Sequence, residues 1–153
     1  IYEGTNGIQA NDLVGRKVLR DQGAALGAYL EEISDTSVAL QNVDVGMSES
    51  LRIAGENLNQ TARFLLENSQ KNQRFVGAVS YNFLMMMGYV SGAYYMGRAA
   101  LEIAKKTEED KFYQRKMISV RFYFSQILPR HLGYMNAVTA GADIGVSLSE
   151  DSF

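Results

Sequence analysis

The sequence has no cysteine, one histidine and one proline among its 153 residues. Without cysteine there is no disulfide, no thiolate nucleophile and no cysteine-ligated zinc or iron–sulfur centre, and one histidine leaves little for a metal site. We therefore predict no bound metal. The absence of cysteine also fits a reducing compartment, and we expect a cytoplasmic protein. A single proline favours long helices over an all-β domain, because helix interiors exclude proline whereas β domains need frequent turns.

Charge of either sign is not in large excess. The formal net charge is -2, with 21% charged and 46% hydrophobic residues, which is typical of an ordinary globular domain. Because there is no basic surplus, we predict that the chain binds no nucleic acid. At this length a single domain can bury roughly two-thirds of the surface that its unfolded chain exposes.

Helical spacing of apolar residues runs through the first half of the chain. It predicts a short amphipathic helix over residues 21–35 and a longer one over residues 48–69, with residues 36–43 as a connection. Asp44, Gly46 and Ser48 supply turn and N-cap chemistry before the second helix. Residues 70–73 either interrupt the helix or continue it, since no proline or glycine forces a stop.

The second half of the chain contains the longest helical patterns. Residues 75–97 carry no charge, and the pattern continues to residue 104. Thr107 and Asp110 resemble a capping box at the start of a last helix over residues 108–145, which Pro129 should bend. The lone histidine, His131, lies on this helix, and we interpret it as a structural residue and not as a metal ligand or base.

The uncharged stretch is long enough to span a bilayer, for which about 20 apolar residues suffice. Its serines, asparagine and four tyrosines interrupt the aliphatic run, so we predict no membrane span and a central bundle helix instead. Gly77, Gly88, Gly92 and Gly97 recur near one predicted face, where small residues would let a helix of this chain or of another copy approach closely.

The two longest predicted helices would each reach on the order of 50 Å. Only a few residues connect them, so they should lie antiparallel. Together with the two earlier helices, they predict an all-α fold: an up-and-down four-helix bundle with long antiparallel helices.

The opening residues are the candidate for chemistry. The chain starts on Ile1 without an initiating methionine, directly in the motif IYEGTNGIQANDLVGRK, and we expect it to be a piece of a longer protein. In this motif the carboxylate Glu3 stands close to Gly4 and Gly7, which permit close backbone approach. Taken alone, Glu3 reads most simply as a solvated carboxylate near a chain end.

This motif closely resembles the segment of the acyl-CoA dehydrogenase superfamily that carries the catalytic glutamate. The later run KMISVRFYFSQILPRHLGYMNAVTAGAD looks like the extra C-terminal helical domain of a subgroup of mostly bacterial members, which includes dehydrogenases similar to those acting on 3-methylmercaptopropionyl-CoA. The resemblance thus covers essentially the whole chain. It implies that residues 1–20 end the catalytic, FAD-contacting segment and that residues 21–153 form the helical bundle domain.

The resemblance also implies roles for individual residues. Glu3 matches the general base that takes the α-proton of an acyl-CoA thioester while a hydride passes from the β-carbon to the flavin. Thr5 and Gln9 match positions that hydrogen-bond FAD, and Tyr2 and Gly4 match positions near the acyl chain and the flavin. The base must work where solvent is excluded, because an α-proton is too weakly acidic for a carboxylate in water.

Partners follow from the same resemblance. We expect an acyl-CoA substrate, the N-terminal and β domains of the same enzyme, a homo-oligomer of bacterial source and an electron-transfer flavoprotein as acceptor. Without the other domains, the fragment should be inactive. The alternative is a non-enzymatic helical scaffold or oligomerisation module whose opening motif is incidental.

Overall fold

The computed structural model describes residues 5–70, 74–106 and 110–143, and these are helical almost throughout, without a strand. The helices, in chain order, are α1 (Asn6–Asn11) with a π-helical segment (Asp12–Val18), α2 (Ala24–Leu40), α3 (Val45–Ser69), α4 (Phe75–Ile103), α5 (Lys111–Phe122) and α6 (His131–Thr139). Between α5 and α6 lie a π-helical turn (Tyr123–Ile127) and a 3₁₀ turn (Leu128–Arg130). The all-α prediction is confirmed.

Helix α2 is longer than the sequence pattern predicted. Residues 36–40 are helical, so the interpretation of residues 36–43 as a connection was wrong over this part. Thr36 and Ser37 are buried, and the hydroxyl of Ser48 on α3 donates to the Ser37 carbonyl (2.7 Å). The helix continues because this polar-looking segment packs against α3 and α4, a contact that local periodicity does not reveal.

Helix α3 begins where its cap chemistry lies. Asp44 is the N-cap, and its carboxylate accepts from the Met47 N–H (3.0 Å). The helix ends at Ser69, and α4 begins at Phe75. Of the two alternatives for this region, an interruption or a continuous helix, the structure therefore has the interruption.

Helix α4 is the centre of the fold, in contact with α1, α2, α3, α5 and α6. Phe64 near the end of α3 meets Phe75 at the start of α4, with ring centroids 6.0 Å apart. Leu51 near the start of α3 lies 3.5 Å from the Cβ position of Gly97 near the end of α4. The two helices therefore run antiparallel.

The last helical run also lies antiparallel to α4. Ile103 at the end of α4 and Tyr113 on α5 line one cleft, whereas Phe75 at the start of α4 and Ala140 after α6 line another. The exact four-helix, up-and-down arrangement stays a prediction as a whole, because α1 and its π-helical segment also pack on α4.

Both ends of the last run differ from the predicted span of 108–145. Asp110 has extended dihedrals, and its carboxylate accepts from the Phe112 N–H (2.8 Å), so α5 begins at Lys111. Thr107, the predicted cap, lies outside the described residues. The run ends at Thr139, followed by Gly141 with a φ of +79°, a conformation that stops helices and favours glycine.

Pro129 disturbs the helix, as predicted. It lacks an N–H, so the regular hydrogen-bond ladder cannot pass through it. The chain widens into the π-helical turn before Pro129 and tightens into the 3₁₀ turn around it, and the Leu128 N–H donates to the Tyr123 carbonyl five residues back. This is the local geometry that allows α5 and α6 to follow α4 as one bent run.

The core consists of apolar side chains, aliphatic and aromatic, from all the helices, with α4 at its centre. Its largest fully buried members are Val14, Ile33, Leu40, Leu51, Leu58, Leu65, Val79, Phe83, Met86, Val90, Val120 and Leu128. Within the described ranges, none of the helices combines the length and the hydropathy needed to cross a lipid bilayer.

The four glycines of α4 do not share one environment, so the predicted common face was wrong. A Cβ at Gly92 would overlap the Tyr123 hydroxyl, and a Cβ at Gly97 would lie 3.0 Å from a Leu40 methyl. A Cβ at Gly77 or Gly88 would meet no described atom within 4 Å. Two glycines thus accept neighbouring side chains, and two face open space.

Candidate functional site

The candidate site lies around the N-terminal helix α1. Tyr2, Glu3 and Gly4, for which the resemblance implies base and substrate roles, lie outside the described residues. Thr5 and Gln9 are described, both side chains are exposed, and the Gln9 N–H donates to the Thr5 carbonyl (2.8 Å). The two predicted flavin-contacting side chains therefore stand one helical turn apart on the same accessible side of α1.

The rest of this segment is held firmly by the core. Ala10, Val14 and Val18 are 1%, 0% and 3% exposed, and they seat α1 and the π-helical segment against α4. The Gly23 N–H donates to the Val18 carbonyl (2.8 Å), which closes the turn into α2. Burial of three apolar residues at a spacing of four fixes which side of the segment faces outward, and Gln9 lies on that outer side.

An open groove of about 400 Å³ adjoins Gln9. Its lining is mostly apolar and includes the polar side chains of Gln9, Asp12 and Lys17. It is lined by side chains of the N-terminal segment, α2 and α4, namely Gln9, Asp12, Leu13, Lys17, Val18, Ala25, Leu26, Tyr29, Leu84 and Met87. Such a surface suits an apolar segment or ring with a polar edge.

The charge beside Gln9 is compensated. The Arg16 guanidinium donates to both carboxylate oxygens of Asp12 (2.5 and 3.0 Å). These hydrogen bonds hold the pKa of Asp12 below its ordinary value, and the same bonds raise the pKa of Arg16. Asp12 is thus an ionised, paired side chain and not a second catalytic base near Gln9.

A polar cluster between α2 and α4 was not predicted from the sequence. The buried Tyr94 donates its hydroxyl to Glu32 (2.7 Å), and Arg98 donates to the Tyr94 oxygen (3.4 Å). Tyr29 packs edge-on against Tyr94, with ring centroids 5.4 Å apart. The hydrogen bond to Glu32, together with burial, raises the pKa of Tyr94, and burial raises that of Tyr29.

This cluster fastens α2 to α4 and carries no nucleophile that is activated, since its tyrosines are held protonated. The sequence could indicate only the pairing of Tyr94 with Arg98, since these residues lie four apart on one helix. It could not indicate the Tyr94–Glu32 hydrogen bond, because the two residues lie 62 positions apart in sequence.

His131 has the structural role that the sequence predicted. It is 4% exposed, its Nδ1 lies 2.6 Å from the Leu128 carbonyl, and its Nε2 lies 3.1 Å from the Asn57 side-chain nitrogen. A neutral ring with the proton on Nδ1 satisfies both contacts, donating to Leu128 and accepting from Asn57. It ties α3 to the proline turn and leaves no ring nitrogen for a ligand.

Metal chemistry finds no support in the described part of the chain. No three His, Asp or Glu side chains there stand close enough together to hold a metal ion. The arrangement therefore offers a surface for binding and for positioning, with the candidate base in the segment that leads into α1.

Comparison with known proteins gives the family. Residues 11–148 match the family described as Acetyl-CoA dehydrogenase C-terminal like. The chain is 35% identical over 138 residues to 3-methylmercaptopropionyl-CoA dehydrogenase of Ruegeria pomeroyi, covering 84% of this chain and 23% of that protein. It is 25% identical over 164 residues to a butyryl-CoA dehydrogenase of Syntrophomonas wolfei, covering 100% of this chain and 26% of that protein.

A third relative is the broad-specificity linear acyl-CoA dehydrogenase FadE5 of Mycobacterium tuberculosis, 27% identical over 143 residues, covering 84% of this chain and 23% of that protein. The chain thus spans about a quarter of the length of these relatives. The family match covers most of the chain, including every helix from α2 to α6. This chain belongs to the Acetyl-CoA dehydrogenase C-terminal-like family and is a C-terminal helical domain of the acyl-CoA dehydrogenases.

Proposed function

We propose that this chain is the C-terminal part of an FAD-dependent enzyme that dehydrogenates an acyl-CoA thioester between its α and β carbons. The observation that carries the proposal is the family match over residues 11–148, together with relatives that are all acyl-CoA dehydrogenases by name. Those relatives are about four times as long as this chain, so the rest of the active site belongs to the preceding domains.

Glu3 is the general base of this proposal. Removal of an α-proton by a carboxylate requires a site that excludes water and polarises the thioester carbonyl, and exclusion of water also raises the pKa of the carboxyl group. In this role Glu3 takes the proton from the α-carbon, and its backbone N–H donates to the thioester oxygen. Tyr2 and Gly4 flank the base and lie near the acyl chain and the flavin.

Thr5 and Gln9 hold the flavin in this proposal. A hydroxyl and a carboxamide, both exposed and one turn apart, match the uncharged donors and acceptors along the edge of a flavin ring. Asp12 does not disturb them, because Arg16 neutralises its charge. When bound, FAD supplies the acceptor for the hydride that leaves the β-carbon.

The partners of the proposed enzyme are the acyl-CoA substrate, the N-terminal and β domains of the same polypeptide, further copies in a homo-oligomer, and an electron-transfer flavoprotein that reoxidises the flavin. The 153-residue chain by itself is inactive, because most of the flavin and CoA contacts lie in the other domains. We place the enzyme in the cytoplasm of a bacterium.

The test uses the full-length protein, which contains this chain and the domains proposed to precede it. Wild type and the Glu3→Gln variant are purified with flavin and mixed anaerobically with butyryl-CoA or 3-methylmercaptopropionyl-CoA, and bleaching of the flavin absorbance is followed. Glu3→Gln should bind flavin normally while bleaching slows by about 10²- to 10⁴-fold, the usual contribution of a general base. Glu67→Gln is the matched control, an exposed carboxylate on α3, and should bleach like wild type.

Three outcomes contradict the proposal. Unchanged bleaching in Glu3→Gln removes Glu3 from the role of base. Failure of wild type to bind flavin removes the oxidoreductase function. A gene without about two further domains ahead of Ile1 favours the non-enzymatic helical module instead.

A further inference from the structure

One side of α4 carries four exposed positions, although Leu84 and Gly92 on the same side are half-buried. Gly77, Tyr81, Gly88 and Tyr95 are exposed, Tyr81 by 46% and Tyr95 by 60%. Their spacings of four, seven and seven residues place them on the same side of the helix. No described atom lies within 4 Å of a Cβ built at Gly77 or Gly88, so no side chain of the described residues packs on these two glycines.

This face lacks the charges that a solvated helix face carries. Residues 75–97 contain no charged side chain. The outer face of α3 shows the contrast, because there the exposed side chain of Arg52 pairs with those of Glu49 and Glu56. Glycine is unfavourable in a helix interior, so each glycine of α4 calls for a reason. At Gly92 and Gly97 the reason is a neighbouring side chain that packs against the glycine. A helix face that has no charge and that combines glycines with tyrosines is typical of a surface that another element covers.

The size of the face argues against a second copy as its occupant. From Gly77 to Tyr95 the helix rises about 27 Å, and a helix is about 10 Å wide, so the face offers at most roughly 300 Å². A stable interface between separate molecules needs about 800 Å² from each partner. A segment tethered to the same polypeptide docks at a high effective concentration, so a smaller area suffices.

The position of α1 indicates where such a segment comes from. In the relatives, about three quarters of the polypeptide lies outside the part that this chain matches. Helix α1 starts the described chain and packs on α4. Its Gln9 and the following Leu13 line one groove with Leu84 of α4, which lies one turn from Tyr81 and from Gly88. Helix α1 therefore lies beside this face of α4.

We infer that the polypeptide preceding α1 in the longer protein docks on the open face of α4 (Gly77, Tyr81, Gly88 and Tyr95), with an uncharged segment seated against the two open glycines. This inference rests on the proposed function to the extent that it requires the preceding domains. The inference adds the surface on which the preceding domains dock. Because α1 packs on the same helix, docking there also positions those domains relative to Thr5 and Gln9.

Thiol labelling tests the inference, because the chain has no cysteine of its own. Gly88→Cys is made in the 153-residue chain and in the longer protein, and the rate of reaction with a maleimide is read by mass spectrometry of the peptide that carries residue 88. Ala28→Cys, on the exposed outer side of α2, is the matched control. Reaction at residue 88 should slow at least about tenfold in the longer protein, whereas residue 28 should react equally in both.

Nitration of the native tyrosines by tetranitromethane gives a second readout without any substitution. Tyr81 and Tyr95 should be nitrated in the 153-residue chain and protected in the longer protein. Circular dichroism of Gly88→Cys should match wild type, since the added side chain meets open space; if it does not, the tyrosine readout decides.

Equal reactivity of residue 88 and of both tyrosines in the two proteins overturns the inference. Protection that disappears on dilution also overturns it, because it assigns the face to a second copy. Failure of the proposed enzyme chemistry is seen separately: normal flavin bleaching with an accessible residue 88 refutes only the docking surface. Absence of bleaching with a protected residue 88 refutes only the reaction.

Discussion

Replacement of Gly92 by alanine tests how the last helical run is seated on α4. The Tyr123 hydroxyl occupies the notch that Gly92 leaves and donates to the Tyr89 carbonyl (3.1 Å). A Cβ at residue 92 would overlap this hydroxyl and lie 2.6 Å from the ring carbon that bears it. Because real Cβ atoms do not approach other atoms this closely, either Tyr123 or the helix must move.

The magnitude follows from three opposing contributions. Overpacking typically costs about 1–3 kcal/mol, and loss of the Tyr123 hydrogen bond costs about 1 kcal/mol. Alanine gains about 1 kcal/mol over glycine in a helix interior. Gly92→Ala should therefore lower the free energy of unfolding by about 1–3 kcal/mol, which for a domain of this size lowers Tm by about 2–12 °C.

Gly88→Ala is the matched control, one turn away on the same helix. Its Cβ meets no described atom, so the 153-residue chain should gain up to about 1 kcal/mol from helix propensity alone. Both variants are compared with wild type by urea and thermal unfolding monitored by circular dichroism. Tyr123→Leu combined with Gly92→Ala should recover part of the loss, since it removes the overlapping ring.

Equal stability of Gly92→Ala and Gly88→Ala would refute the reasoning. So would a double variant that is destabilised by the plain sum of its two single substitutions, because the inferred contact requires the two residues to be coupled.

Three further substitutions test other contacts. His131→Phe leaves the Asn57 amide without its partner and should destabilise the chain by about 1–3 kcal/mol; an unchanged urea midpoint would contradict this. The raised pKa of Tyr94, caused by its hydrogen bond to Glu32 and by burial, means that stability present below about pH 10 is lost as pH rises through the folded pKa. Tyr94→Phe should therefore lose less stability than wild type between neutral pH and the alkaline range, measured by urea unfolding; parallel losses would exclude the contribution of Tyr94. Asp44→Ala removes the cap of α3 and should cost about 1 kcal/mol in thermal unfolding, whereas an unchanged Tm would show that the cap is dispensable.

Local patterns predicted the long helices well. The helical pattern of α4 was placed from residue 75 to residue 104, and α3 was placed near its Asp44 cap, because apolar periodicity and caps act over a few residues. Thr36 and Ser37 show where such patterns fail. Their hydroxyls look like those of a loop, yet they are buried because α3 and α4 lie against them.

The candidate site divides in the same way. The sequence placed Glu3, Thr5 and Gln9 together through resemblance to a family, and the family membership is shown. Their individual roles stay a prediction. The groove beside Gln9 could not be predicted, since its walls come from three helices that meet only in the folded chain.

The sequence by itself determined an all-α fold, the absence of thiol chemistry and a glycine-rich central helix that carries no charge over residues 75–97. Only the tertiary structure decided what each glycine of that helix is for. Gly92 receives Tyr123, Gly97 receives Leu40, and Gly77 and Gly88 remain open. The physical reason is that a helix fixes the direction in which each residue points, whereas the atoms that fill that direction come from residues distant in sequence.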